Sequence, residues 1–218
     1  MRIVVTAGPT REYLDPVRFL SNPSTGKMGF AIAAEAARRG HEVALIAGPV
    51  ALKTPRGVYR VDVTSAREML KESLGCLEGC GGAVFISTAA VADWRPAKCA
   101  AKKLKKGEMS GTLKLVRNPD ILKTIHQAIE QSSNPNNRTI RLVGFAAETD
   151  HVLAEASRKC REKGLSFIVA NDVTQKGCGF GTDTNRVTFV FPDGAQKKLP
   201  LMTKRMVAKR ILDEVSRL

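Results

Sequence analysis

At 218 residues, with 43% apolar and 26% charged side chains, the chain has the composition of a soluble globular protein and the length for one large domain with its own core. Its apolar runs, such as GFAIAAEAA at 29–37, break well short of membrane-spanning length, and RIVVTA at 2–7 is too short for a signal-peptide core, so neither a transmembrane helix nor a secretory leader is expected. The net charge of +14, from 35 basic and 21 acidic side chains, fits either a nucleic-acid binder or a basic enzyme with small polyanionic substrates, and the few aromatic residues are not interleaved with basic ones as a nucleic-acid stacking platform needs.

RIVVTA is expected to form a first strand, followed by a loop of some twenty residues, TAGPTREYLDPVRFLSNPSTG, and an amphipathic helix from about Lys27 to Arg39 that Gly40 ends. EVALIA (42–47) and VYRVDV (58–63) read as strands, and TSARE (64–68), with Thr64 or Ser65 ahead of Glu68, as the capping signal of the next helix. GAVFIST (82–88) is a continuous apolar run, as expected for a strand buried on both faces. Residues 97–111 (AKCAAKKLKKGEMSG) hold many lysines without a period and read as a mobile flap. The alternation resumes with TLKLV (112–116), NPDILKTIHQAIE (118–130), IRLVGFAAE (140–148), a helix near 150–163 and SFIVAND (166–172), with a polar surface loop at 131–139. NRVTFVF (185–191) and PDGAQKKLP (192–200) predict a hairpin with an Asp-Gly turn, and a helix from about Thr203 to Arg217 closes the chain.

The expected fold is α/β and Rossmann-like, a mostly parallel sheet with helices on both faces, plus a C-terminal hairpin and the Lys-rich flap, in one domain over 1–218. Ligands of such sheets lie beyond the carboxyl ends of the strands. That selects 6–29, 87–106, 117–120 and 144–149, and with less weight 170–180.

Five cysteines, an odd number without a C-x-x-C pair, and the scattered His41, His126 and His151 suggest reduced cytoplasmic thiols and no zinc site; Cys99, near the flap, reads as a plain loop cysteine.

The stretch SNPSTGKMG (21–29) misses both standard phosphate motifs: Met28 follows Lys27, and only Gly26 and Gly29 fall in range of a dinucleotide fingerprint. Ser24, Thr25 and Gly26 still begin a helix, where free N–H groups and the dipole favour an anion, although an ordinary N-cap fits them as well. Asn22 can donate to a developing oxyanion or accept, and can equally form an Asx turn before Pro23. Arg18 shares this loop. Ala89 and Ala90, in STAAVADWRPA (87–97), would leave their backbone open to the edge of a flat base, with Asp93 near ribose hydroxyls; a small-residue turn packed on a helix fits too. KKLKK (102–106) is either a solvated face or a flap closing over a triphosphate. Asn118, in RNPDI (117–121), is either a substrate contact or part of a plain helix start. Lys27 reads as helix surface. No G-x-S-x-G or similar nucleophile arrangement appears, which points to positioning and charge stabilisation of an activated phosphate.

Six segments, VTAGPTREYLDPVRFLSNPSTGKMG, AAVADWRP, KKLKK, LVRNPDIL, VGFAAET and IVANDV, resemble in identity and order the phosphopantothenoylcysteine synthetase family of the bacterial type, over residue 2 to about 200. The resemblance implies a coenzyme A biosynthetic ligase that joins 4′-phosphopantothenate to L-cysteine. The substrate carboxylate attacks the α-phosphorus of CTP, giving an acyl-cytidylate and pyrophosphate, and the cysteine amine then releases CMP. Mg²⁺ or Mn²⁺ accompanies the nucleotide, with no ligands assigned. The resemblance further implies that Asn22 handles the acyl-cytidylate and that Arg18 serves the phosphopantothenate site. Ser24, Thr25 and Gly26 surround the triphosphate, the main chain of Ala89 and Ala90 reads cytosine, and Asp93 lies near the ribose. Lys103, Lys105 and Lys106 form the family's K-x-K-K flap, with Lys103 closing the site and serving the second half-reaction. A cytoplasmic homodimer is implied, with neither nucleic acid nor membrane as partner. Pro23 and Trp94 depart from the His and the Tyr or Phe common at those places. Fused members carry a flavin-dependent decarboxylase ahead of this domain; with nothing before Met1, a stand-alone enzyme or an excised domain is expected, and no FMN. The alternatives are an ATP-using version of the same ligase, another Rossmann-like nucleotide-binding enzyme, which would show G-x-G-x-x-G, and a nucleic-acid-binding module.

Overall fold

The computed structural model describes residues 1–105, 107 and 111–218. In chain order the elements are β1 (Arg2–Ala7), β2 (Arg11–Tyr13), β3 (Phe19–Ser21), α1 (Lys27–Arg38), β4 (Glu42–Ala47), β5 (Val58–Asp62), α2 (Ala66–Leu77), β6 (Val84–Ser87), β7 (Trp94–Pro96), β8 (Leu115–Arg117), α3 (Ile121–Glu130), a 3₁₀ turn (Pro135–Thr139) and β9 (Arg141–Glu148). There follow α4 (Val152–Glu162), β10 (Phe167–Asp172), β11 (Thr184–Asn185), β12 (Val187–Val190), β13 (Gln196–Lys198), β14 (Met202–Thr203) and α5 (Lys204–Val215).

Among the described residues the central sheet has eight strands in the order β13-β12-β10-β9-β6-β1-β4-β5. The six from β10 to β5 run parallel. The expected hairpin β12–β13 extends the β10 edge in the antiparallel sense. The chain first builds outward from β1 through β4 to β5, then crosses back to start again at β6. The strand order therefore reverses between β1 and β6, the place where an open α/β sheet leaves a crevice for a ligand.

Period-2 alternation sorts the strand residues onto two faces. Ile3, Val5, Ala7, Leu45, Ile86, Val143 and Phe167 join Phe30 and Ile32 of α1 and Val207 and Ile211 of α5 in one core. Val4, Ile46, Phe85, Leu142 and Ile168 join Met69 of α2, Ile125 of α3 and Cys160 of α4 in the other. Continuous apolar strands such as VFIS are thus apolar because both faces are covered. Among the described residues no helix is long and apolar enough to cross a membrane.

The start of α2 follows its sequence signal. Ser65, rather than Thr64, caps α2 by accepting from Glu68 N at 3.3 Å, while Glu68 accepts from Thr64 N at 2.7 Å. Buried Glu12 of the first loop also accepts from Ala66 N at 2.9 Å, tying that loop to the start of α2. On the opposite face Glu35 of α1, 3% exposed, pairs with Arg38 at 2.7 Å and Arg39 at 3.0 Å, and Arg39 reaches Asp213 of α5 at 2.8 Å. The Arg38 hydrogen bonds, with those of Arg39 and against burial, hold the Glu35 carboxyl below its ordinary 4.5, at about 2. A carboxyl depressed in the folded state stabilises above its unfolded value and stops doing so as pH falls through the folded one. Glu35→Gln should therefore flatten the pH dependence of the thermal midpoint between about pH 4.5 and about pH 2; an unchanged slope would show that the α1–α5 cluster plays no part in acid stability.

Two features depart from the expected pattern. TLKLV does not enter the main sheet: Leu115–Arg117 pairs antiparallel with Trp94–Pro96. The pairing sides of β6 are already taken by β1 and β9, and Leu113 and Leu115 remain exposed. The flap segment thus hangs from a two-stranded ribbon. The long first loop, in turn, contains its own hairpin, β2–β3.

Candidate active site

Past the ends of β1 and β6 the two loops are laced together. Thr88 Oγ1 donates to Thr6 O at 2.6 Å, and Ala89 N donates to Thr6 Oγ1 at 3.3 Å. Pro9 and Ala90 form a parallel bridge, with Ala90 N donating to Gly8 O at 2.9 Å, and Ala92 N donates to Thr10 Oγ1 at 3.0 Å. Beside this lacing lies a cavity of about 520 Å³, a size that suits a small ligand. Its lining combines Asn22 to Gly29, the loop after β6, the start of α3, the ends of β9 and β10, and the C-terminal residues Phe180, Asn185 and Lys204.

The start of α1 is built for close approach and left open. Gly26 is the N-cap with φ 77, a left-handed conformation that suits glycine, and no side chain caps the helix. The ordinary N-cap reading of Ser24 or Thr25 is therefore not what forms: Ser24 Oγ accepts from Gly26 N at 3.4 Å, and Thr25 Oγ1 donates to Phe180 O at 2.9 Å. A Cβ on Gly29 would stand 2.5 Å from both Ala7 Cβ and Thr88 Oγ1. Only glycine lets the first turn, with its unsatisfied amides, settle onto the strand ends.

Asn22 does not form the Asx turn. Its Nδ2 donates to Ala90 O at 3.1 Å and Val91 O at 3.2 Å, leaving Oδ1 without a partner among the described residues. Both main-chain groups of Ala90 are committed, since its oxygen also accepts from Thr10 N at 3.4 Å. Ala89 O, in contrast, takes part in no hydrogen bond among the described residues. Asp93 is exposed and lines the cavity.

Lys27 is more than helix surface. It lines the cavity, and its ammonium pairs with Asp183 at 2.7 Å and donates to Gly181 O at 3.0 Å. Lys204, the first residue of α5, is 7% exposed and donates to Phe180 O at 3.2 Å and Gly179 O at 3.4 Å. Burial first, and then the neighbouring charge of Lys27, push its pKa below the usual lysine value. The segment 179–183 is thus clamped onto the start of α1 by Thr25, Lys27 and Lys204. Asn171 adds a buried Oδ1 without a partner, while its Nδ2 donates to Cys178 O at 3.0 Å. No local pattern marks Lys204 or Asn185 in the sequence, because the fold alone carries the C-terminal segment to the switch point. Asn171 sits at a strand end, the one signal that could have found it.

Arg18, Lys103 and Asn118 do not line the cavity. Asn118 braces the ribbon: its N donates to Asp93 O and its Nδ2 to Ala92 O, both at 2.8 Å, and its Oδ1 accepts from Arg95 at 3.1 Å. Helix α3 starts on Asp120, which accepts from Lys123 N at 3.1 Å. Arg18 pairs with buried Asp15 and donates to Leu104 O at 3.0 Å. Lys103 and Lys105 are exposed on the flap, and Lys106 lies outside the described residues.

Around the cavity, then, stand an open helix N-terminus and three ammonium groups, those of Lys27, Lys163 and Lys204. The facing carboxylates are Asp93 and Asp120, and Asp120 is already paired with Lys163 at 2.7 Å. An anionic ligand suits this set. Among the described residues no three His, Cys, Asp or Glu side chains gather as a cation cage, so these residues do not fit a resident metal ion.

The sequence is similar to the coenzyme A biosynthesis bifunctional protein CoaBC of Escherichia coli strain K12, with 46% identity over 99% of this chain and 51% of that protein. The Bacillus subtilis strain 168 protein of the same name is 44% identical, over 99% of this chain and 51% of its own. The chain therefore spans about half the length of these relatives. Its fold is similar to a crystal structure of the C-terminal domain of a CoaBC protein, at TM-score 0.79 and 42% identity over 98% of this chain and 93% of that one. The profile of one family matches all of residues 1–218, and the chain accordingly belongs to the DNA/pantothenate metabolism flavoprotein C-terminal domain family.

Proposed function

We propose that this domain is a phosphopantothenate–cysteine ligase of coenzyme A biosynthesis, which activates 4′-phosphopantothenate with CTP and passes the acyl group to L-cysteine. The observation that carries the reading is the uncapped start of α1, open to the switch-point cavity between Lys27 and Lys204 and next to Asn22. The names of the relatives, which place them in coenzyme A biosynthesis, support the same reading.

In this reading the first-turn amides of α1 and the Ser24 hydroxyl hold the nucleotide phosphates. Lys27 and Lys204 exchange part of their bonding to the 179–183 segment for phosphate oxygens. The base lies against the loop after β6, where Ala89 O remains to accept, and the ribose lies towards Asp93. Asn22 fixes the Ala90–Val91 main chain beside the reacting phosphorus. It donates to the acyl oxygen when the ligand takes over one of the two hydrogens now on those carbonyls. A divalent cation would belong to the nucleotide substrate, with no ligand assigned on this chain. The lysines of the flap, Lys103 first, close over the bound intermediate. A homodimer and a cytoplasmic setting belong to the same reading, and no FMN is required.

The test is pyrophosphate release with 4′-phosphopantothenate, with CTP and ATP compared. Saturable release with CTP, followed by amide formation once cysteine is added, is expected. Release with ATP alone would reassign the nucleotide, and no turnover with either would overturn the ligase.

A further inference from the structure

We propose that Asp15 is a positioning residue that latches the Lys-rich flap to the first loop, with Arg18 as the second jaw of the latch. The Asp15 side chain is fully buried in the turn between β2 and β3, yet it binds a segment some ninety residues away. Its Oδ1 accepts from Val17 N and Arg18 N, both at 2.9 Å. Its Oδ2 accepts from Arg18 Nε at 3.0 Å, from Arg18 Nη2, and from Leu104 N at 3.2 Å. Arg18 Nη2 then donates onward to Leu104 O at 3.0 Å. The N–H and C=O of one flap residue are therefore held together by one carboxylate–guanidinium pair. A second tie, Ala100 N to Leu14 O at 2.8 Å, fixes the approach to that residue.

Leu104 lies between Lys103 and Lys105, so clamping its main chain fixes where both lysine side chains depart. Asp15 and Arg18 thus reach the chemistry through the flap, although neither lines the cavity. Hydrogen bonding from Arg18, against burial, holds the Asp15 carboxyl well below the usual carboxylate range, so the carboxylate stays charged at neutral pH. Buried carboxylates that serve only a turn need the two local amides. The three further bonds, from Arg18 and from Leu104, are what a latch adds.

The contact stands on geometry alone; its consequence for turnover rests on the ligase reading. Asp15→Asn keeps an acceptor for Val17 and Arg18 but loses the charge shared with the guanidinium and Leu104. Amide hydrogen exchange should show Leu104 opening roughly tenfold faster or more, with the β1 and β6 amides unchanged. In the enzyme assay, amide formation should fall by roughly 10- to 100-fold, the scale of a misplaced catalytic group, while pyrophosphate release changes much less. Wild-type protection at Leu104 in this variant would overturn the latch. Faster exchange at Leu104 in a protein with no ligase turnover would leave the latch standing and overturn the ligase reading instead. If Asp15→Asn does not fold, Leu104→Pro removes the amide hydrogen on the flap side while Asp15 keeps its bonds to Val17 and Arg18. Exchange at Ala100, whose amide donates to Leu14 O, should then rise, and unchanged protection there would overturn the proposal.

Discussion

Replacing Asn22 with Asp is expected to lower kcat/KM for nucleotide-dependent pyrophosphate release by roughly 100-fold or more. The reason is local. Asn22 spends both amide hydrogens on Ala90 O and Val91 O, and a carboxylate would aim an anionic oxygen at those two acceptors. Those bonds, about 1 kcal/mol each, hold the Ala90–Val91 main chain in place, and a fall of two powers of ten, about 3 kcal/mol of transition-state stabilisation, is the scale of a misplaced group at a reacting centre. The new charge also opposes any anionic substrate at the same spot. The thermal midpoint should move far less than the rate, because the loops remain laced through Thr6, Thr10 and the Pro9–Ala90 bridge. Full activity in this variant would reduce Asn22 to a residue of the turn.

Gly29→Ala should lower the thermal midpoint by roughly 2–8 °C and weaken nucleotide binding with it. Two effects compete. Alanine in place of glycine within a helix gains about 1 kcal/mol. Against it, the new Cβ would stand 2.5 Å from Ala7 Cβ and Thr88 Oγ1 and 3.0 Å from Thr6 O. Those atoms belong to the ends of β1 and the loop after β6, which are bonded to each other and have little room to yield. Overpacking of this kind costs about 1–3 kcal/mol or more, so the clash wins. Relief comes by lifting the first turn of α1, which is the turn whose amides face the cavity. A raised midpoint with unchanged nucleotide saturation would show that the helix moves off without consequence.

The parallel sheet and its helices were legible because their signals are local and strong: EVALIA and VFIS are buried on both faces, and Gly40 and Ser65 mark helix ends. The segments chosen by the carboxyl-end rule also meet at one cavity, Asn22 to Gly29 with Ala89, Ala90 and Asp93. What escaped were relations between distant side chains. Lys27 reads as helix surface until Asp183 is brought to it from 156 residues away. Lys204 opens an ordinary amphipathic helix, and only the return of the chain to the switch point turns it inward. TLKLV has the alternation of a sheet strand, but register partners decide where a strand goes, and its partner is Trp94–Pro96. Asn118 and Arg18 likewise make bonds that spacing does not announce, to the backbone of Ala92 and Asp93 in one case and of Leu104 in the other.

The ribbon of β7 and β8 joins two things that would otherwise be separate. Asp93, at the cavity, and the arms of the flap belong to one short piece of backbone, pinned through Asn118 to Ala92, Asp93 and Arg95. The asparagine is the point at which that backbone is held on three sides. Were a ligand at Asp93 to shift this backbone, thermodynamic reciprocity would require that whatever steadies the flap tighten that ligand by the same factor. Cavity occupancy and the order of the flap arms would in that case be one equilibrium, felt at both ends of the ribbon.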